Sequence, residues 1–339
     1  MPTALEPQEE PRMNKLTPLF ALLLALALFA AACGDDSTTE TAVDPGGTPS
    51  GEPAEGESVD DDATAEVSES EAPADEVPAE SVLANRIVSI NPTGTEMLYA
   101  VGAGDMVVAV DSFSYYPEGT PVTDLSGWDP NVEAILSYEP DLVVMDFNED
   151  VQSSLEAAGV TVVLITAPAV FDDVYSQIQM VGDATGFGAE ALEVVDEMRT
   201  TVDELIADAP DASGLTYYHE LDNTLYSVTS TTFIGAVYSL FGLTNVADPA
   251  DADGVAFGYP QLSDEYLVDA NPDLIFLADT LCCAQSAATV AERPGWDQLS
   301  AVQNGTVVEL DDDIVSRWGP RLIDFVDSIA TAIESVEAG

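Results

Sequence analysis

Two α/β lobes, each built on a mostly parallel, helix-covered sheet and joined by one long helix, are what the 339-residue sequence predicts. Three observations carry that prediction. Short apolar runs of strand length alternate with helical patterns through most of residues 84–339, as parallel strands with helical crossovers require. Glu133-Ala-Ile-Leu-Ser-Tyr-Glu-Pro140-Asp141-Leu-Val-Val-Met is answered 132 residues later by Glu265-Tyr-Leu-Val-Asp-Ala-Asn-Pro272-Asp273-Leu-Ile-Phe-Leu, so one α/β unit occurs twice. Between the copies, Ala189, Leu192, Val195, Met198, Val202 and Leu205 recur at helical spacing with no strand signal, which predicts a lone strut roughly 30 Å long. An aromatic precedes each repeated Glu (Trp128 and Tyr259), and a matched pair in each lobe points to something gripped between the lobes.

The elements follow in order. Arg86–Ile90 reads as a strand, and Thr93-Gly-Thr-Glu96 has capping-box spacing for a helix that ends at Gly102. Strands are expected at Met106–Val110, Asp141–Met145 and Thr161–Ile165, with helices before Ser137, over Val151–Ala158 and over Val174–Thr185. After Asp208-Ala-Pro210 ends the long helix, Leu215–Tyr218, Asp273–Leu277 and Thr306–Leu310 read as strands. Phe233–Phe241, Glu265–Ala270 and Trp296–Ala301 read as helices, and Pro320 suits the first position of a last helix that turns Leu322, Val326, Ile329 and Ile333 inward.

The N-terminal part has a different character. Translation is expected from Met13, because Arg12 and Lys15 flank a start followed by 14 apolar residues, Leu19 to Ala32. That run fits a secretory leader and falls short of the ~18–20 residues of a membrane span. Ala30-Ala-Ala-Cys33-Gly resembles a lipoprotein signal, in which Cys33 is the lipidated first residue, so residues 1–32 are expected to be removed. Residues 34–83 hold 16 Asp or Glu and no Lys or Arg, and they read with Cys33 as a disordered acidic tether. The expected lobes are 84–187 and 209–339, with the interlobe helix at 188–208.

Residues 84–339 carry 44 acidic side chains, five arginines and no lysine. Nucleic acid is thereby excluded as a partner, since nothing can neutralise phosphates. His219 is the single histidine and, even beside Glu220, cannot supply the three or four ligands of a zinc site. It reads as an ordinary strand-end residue, with a pocket contact as the alternative. No nucleophile–base pair or phosphate-cradling glycine loop stands out, so neither an enzyme nor a bound cofactor or metal is expected. Cys282 and Cys283 leave three readings open: a disulfide between neighbours, buried free thiols, or contact with a ligand or metal.

Arg86-Ile-Val-Ser-Ile-Asn-Pro-Thr-Gly-Thr-Glu96, Tyr116-Pro117, Gly127-Trp128, Asn131-Val-Glu133, Pro140-Asp141-Leu-Val, Arg293-Pro-Gly-Trp296 and Ser316-Arg-Trp-Gly-Pro-Arg321 together resemble the cobalamin and ferric-siderophore substrate-binding proteins of ABC importers. The resemblance covers roughly residues 85–337. It implies a ligand cleft between the lobes and little lobe movement on binding. It puts Phe113, Trp128, Tyr226, Tyr259 and Asp313 at positions that line the cobalamin pocket, and Arg317 and Trp318 on a loop at the cleft. It puts Glu133 and Glu265 where that family docks onto the permease. The implied function is capture of cobalamin or a ferric siderophore (heme not being distinguished from these) by a monomeric lipoprotein held at the outer face of the cell membrane. Delivery to an ABC permease follows. A surface sensor, or an enzyme or metal chaperone on the same scaffold, is the alternative.

Overall fold

The computed structural model describes residues 84–337, so the leader, Cys33 and the acidic segment lie outside it. The first half alternates β1 (Ile87–Ser89), α1 (Pro92–Ala100), β2 (Val107–Asp111), β3 (Val122–Leu125), α2 (Val132–Leu136), β4 (Leu142–Met145), α3 (Glu149–Ala157), β5 (Thr161–Leu164) and α4 (Phe171–Thr185). Then comes α5 (Gly188–Asp208). The second half runs β6 (Thr216–Glu220), α6 (Phe233–Ser239), β7 (Thr244–Asn245), α7 (Asp264–Ala270), β8 (Leu274–Leu277), α8 (Thr280–Cys283), α9 (Ala287–Ala291), α10 (Ser300–Asn304), β9 (Val307–Glu309), α11 (Asp312–Ser316) and α12 (Leu322–Glu337).

Each half forms one all-parallel sheet, ordered β3-β2-β1-β4-β5 in the first and β7-β6-β8-β9 in the second. The repeat has a structural meaning within them. In both halves the repeated helix (α2, α7) ends one to three residues before a proline, through a residue with positive φ: Glu139 at 52° and Asn271 at 47°. That geometry avoids the right-handed helical region, which proline disfavours in its predecessor. In both, the following Asp holds the start of the neighbouring central strand. Asp141 accepts the amides of Asn85 and Arg86 ahead of β1, and Asp273 accepts the amide and hydroxyl of Thr216 in β6.

The expectation of a lone strut is corrected. α5 lies against both α4 and α12, and its buried residues are Ala191, Val195, Met198 and Val202, whereas Ala189 and Leu192 are exposed. One apolar cluster runs from Ile87, Val144 and Ile178 through α5 to Tyr217, Phe276, Phe325 and Ile329, so the halves share a core. The inward set of α12 is as the periodicity predicts, although the helix begins at Leu322, with Pro320 two residues ahead of it. β3 carried no readable signal: it pairs only at two positions on the sheet edge, and only its last residue is buried.

The capping box at Thr93 is corrected too. Asn91 caps α1 by accepting the Gly94 amide, and Pro92 takes the first helical position. Glu96 is thereby free for other use. It is 3% exposed and receives two hydrogen bonds from Arg321 and one from Arg317, both from the second half.

Candidate functional site

In open parallel sheets, ligands gather where strands end, at the carboxyl edge. Here the carboxyl ends of β1, β4 and β5 (Asn91, Asp146 and the Ile165–Pro168 turn) meet α11 and the two residues after it, around a cavity of about 340 Å³. Phe113, Asp313, Arg317 and Trp318 line it. A second hollow of about 400 Å³, sharing Asp146, is lined by Trp128 and Phe147. Of the seven residues singled out for ligand contact, the structure thus gathers four in one cavity and puts Trp128 in its neighbour. Tyr226 and Tyr259 line neither. They lie close to each other on the second half, where Ser227 donates its amide to the Pro260 carbonyl and Tyr226 bridges to Gln261.

Local geometry explains why Trp128 stands 95% exposed. A Cβ on Gly127 would lie 2.3 Å from the Ile90 carbonyl oxygen, so only glycine lets the chain pass this close to the end of β1 before turning outward. In the second half, Gly258 (φ 88°) sits against Thr232 in the same way and holds the turn that exposes Phe257 at 87%. The Asp251 carboxylate fixes that turn by accepting the amides of Ala256 and Gly258. Phe257, Phe147, Tyr115 and Leu281 are exposed apolar residues that sequence reading missed. For Phe147, Tyr115 and Leu281 the only signal was a place two to four residues past a strand end, and Phe257, 12 residues after β7, had not even that.

Arg317 lies in the cavity wall, but its charge is already engaged. Its guanidinium bonds to Glu96, Asp313 (2.7 Å) and the Phe113 carbonyl (3.0 Å), and it lies over the Tyr115 ring. Arg321 pairs with Glu96 and covers Tyr116. The other arginines are also engaged: Arg86 with the carbonyls of Tyr138 and Glu139, Arg199 with Asp172, and Arg293 with Glu220. In the cavity wall Asp313 is thus paired with Arg317, and Asp146 is the carboxyl that no arginine meets. Asp146 has its carboxyl pushed up by burial and by Asp111, against a hydrogen bond from Asn91 that lowers it. Trp318 adds a buried indole N–H without a partner, a donor suited to a ligand carbonyl.

His219 is the last residue but one of β6, close to the strand-end position expected of it. It is fully buried within β6, its Nδ1 lies 2.8 Å from the Tyr238 hydroxyl, and burial drives its pKa down to about 3. It is a neutral core residue. No group of three or more His, Cys, Asp or Glu among the described residues is arranged to hold a metal ion. Cys282 and Cys283 are bonded to each other. Glu133 and Glu265 stand exposed in the first turns of α2 and α7, corresponding points of the two halves.

Residues 87–314 match the family model described as periplasmic binding protein. The chain belongs to that family. It is 33% identical over 259 residues to the ABC transporter substrate-binding lipoprotein YvrC of Bacillus subtilis, covering 73% of this chain and 79% of the relative. It is 31% identical over 262 residues to a cobalamin-binding protein of Halobacterium salinarum, covering 74% and 69%. Among solved structures, the vitamin B12-binding protein BtuF of Vibrio cholerae superposes with a TM-score of 0.61 at 24% identity, covering 76% of this chain and 99% of that one. A possible iron-binding periplasmic protein of Staphylococcus epidermidis superposes with a TM-score of 0.62 at 26% identity, covering 74% and 98%. Family membership makes the chain a solute-binding protein of ABC transport. No helix among the described residues is long and apolar enough to cross a membrane.

Proposed function

We propose that this chain is a lipid-anchored extracytoplasmic receptor that captures a neutral or cationic metal chelate, a cobalamin or a ferric hydroxamate, and hands it to an ABC permease that docks on Glu133 and Glu265. One observation carries the ligand class: Phe113, Trp128 and Phe147 stand exposed in the two hollows that share Asp146, while all five arginines of residues 84–337 are engaged internally. A triply anionic ferric catecholate entering this cleft would lose its hydration and meet no free cation. Heme, with two propionates, faces a smaller form of the same cost. A neutral macrocycle needs only apolar faces, and a cation is drawn in by the acidic surroundings.

The cavity of about 340 Å³ lies near the low end of the roughly 300–1,000 Å³ usual for ligand pockets. One edge of a macrocycle enters it, therefore, and the rest lies across Trp128 and Phe147 in the neighbouring hollow.

Titration followed by Trp128 fluorescence tests the reading. Cyanocobalamin or ferrioxamine B is expected to quench it at sub-micromolar concentration, and a ferric tris-catecholate is expected to leave it unchanged. Tight catecholate binding would overturn the charge argument. Glu133→Arg with Glu265→Arg tests docking: transport is expected to vanish while ligand affinity stays within about threefold, because like charges facing across an interface cost several kcal/mol. Lost affinity with intact transport would refute the docking assignment.

A further inference from the structure

The bonded Cys282–Cys283 pair has no evident duty in the fold. A disulfide stabilises by closing a loop in the unfolded chain, and its effect grows with the number of residues enclosed. This one joins neighbours and encloses none. Nor is it needed to hold its own segment. Asp312, at the start of α11, accepts the amides of Thr280, Leu281 and Cys282, and the Thr280 hydroxyl donates to the Leu310 carbonyl. Gln285 closes the far side by donating its amide to the Asp279 carbonyl and its side chain to the Cys283 carbonyl. The segment is fully built without the sulfur–sulfur bond, yet it turns apolar groups to water: Leu281 is 63% exposed and Cys282 is exposed beside it.

Its place is as telling as its composition. The segment leaves the carboxyl end of β8, the strand between β6 and β9 in the second sheet, and rests against α11. Asp313, next in sequence to the Asp312 that anchors it, lines the cleft cavity and accepts the Tyr115 hydroxyl from the opposite half. The sulfur pair thus sits on a helix packed against α11, the helix whose Asp313 and Ser316 line the cavity. Because Asp312 already occupies the α8 amides, an anion is not what this surface receives.

We propose that the Cys282–Cys283 disulfide and Leu281 form a contact surface for the apolar face of the cleft's ligand, and that opening the disulfide weakens binding without unfolding the protein. The proposal rests on the ligand class assigned above. Joined, the two sulfurs present one fixed, polarizable patch. Separated, they become two rotatable thiols whose ordering on a ligand costs side-chain entropy. A dithiol performs the opening. Its thiolate attacks one cysteine sulfur, the Cys282–Cys283 bond breaks, and the released thiolate takes up a proton. The second sulfur of the dithiol then closes on the first and frees the other cysteine, so two cysteine thiols and one oxidised dithiol result.

The test compares the oxidised chain, the chain reduced with dithiothreitol, and Cys282→Ser with Cys283→Ser, each titrated with cyanocobalamin and with ferrioxamine B by Trp128 fluorescence. Reduction and the double substitution are both expected to weaken binding of the recognised probe about tenfold, the loss of one modest apolar contact, with the melting temperature within about 2 °C. Equal affinity in both redox states overturns the contact, as does a loss of affinity that tracks a fall in melting temperature. If neither probe binds even the oxidised chain, the ligand class fails and the contact falls with it. Should the double variant not fold, the reduced wild-type chain decides alone.

Discussion

Two buried glutamates, one in each half, use the same device for different ends. Glu96 on α1 is held by Arg317 and Arg321, which lie over Tyr115 and Tyr116. Glu220 at the end of β6 is held by both terminal nitrogens of Arg293, which lies over Trp296. In each case an arginine stacks on a ring, as its weakly hydrated planar cation favours. The first clasp crosses between halves and uses two cations on one carboxylate. The second stays within one half, and its carboxylate has a buried carboxyl neighbour instead: Asp279, 0% exposed, neither of whose oxygens meets a donor. Burial, with the like charge of Glu220, pushes Asp279 up to about 7. A buried ion pair is weak evidence for stability and better evidence for a specified geometry. What each specifies here differs: one the angle between the halves, the other the seating of a loop on its own sheet.

Removing Glu96 should have the largest effect, because Glu96→Ala strands two nearly buried guanidiniums. A loss of about 3–5 kcal/mol in urea unfolding is expected, with a larger radius of gyration in solution scattering as the halves lose their clasp. An unchanged radius would show that the shared core alone fixes the angle. Glu220→Ala strands one arginine and also relieves Asp279 of a like charge, so a smaller loss, about 2–3 kcal/mol, is expected in the same experiment. Equal or larger loss would erase the contrast between the two clasps.

Asp279→Asn sharpens it through pH. The folded protein holds the Asp279 proton from its ordinary range near 4 up to about 7, whereas the unfolded chain releases it near 4. Stability from this group is therefore present at low pH and lost as pH rises to about 7. Asparagine removes that loss, so the melting-temperature gain of the variant over wild type should grow from pH 4 to pH 7 and then level off. A gain that is flat across this range would place the proton elsewhere. The smallest effect on stability belongs to Trp128→Phe. Its side chain is almost wholly exposed, so unfolding free energy should stay within about 0.5 kcal/mol while quenching by ligand falls to the share of Trp318 in the cavity wall.

Much of this was legible in the sequence, for reasons specific to each feature. The repeated Glu–Pro–Asp spacing identified two like halves because the prolines and aspartates do local work at strand entries. The inward face of α12 was legible because it is strictly periodic. The role of Glu96 was not, because its partners lie 221 and 225 residues away, and local spacing offered a capping box instead. The α5 face was misjudged by a few residues, since what it buries is decided by α4 and by α12 together, and α12 returns from the end of the chain. Trp128 stood out by its place in the repeat. Leu281 and Phe257 did not, because exposure past a strand end, or on a turn held by Asp251, is a property of the fold and not of the composition.

The shared core has a consequence for what happens after capture. Halves that bury one continuous apolar cluster and are clasped at Glu96 cannot swing apart at little cost. Surfaces that do not rearrange bind without a conformational penalty, but they also store no spring to eject what they hold. The work of emptying such a cleft has to be done by whatever seizes the two halves from outside, and on the docking proposed above the paired glutamates at corresponding points of α2 and α7 are where a lever on each half would be attached.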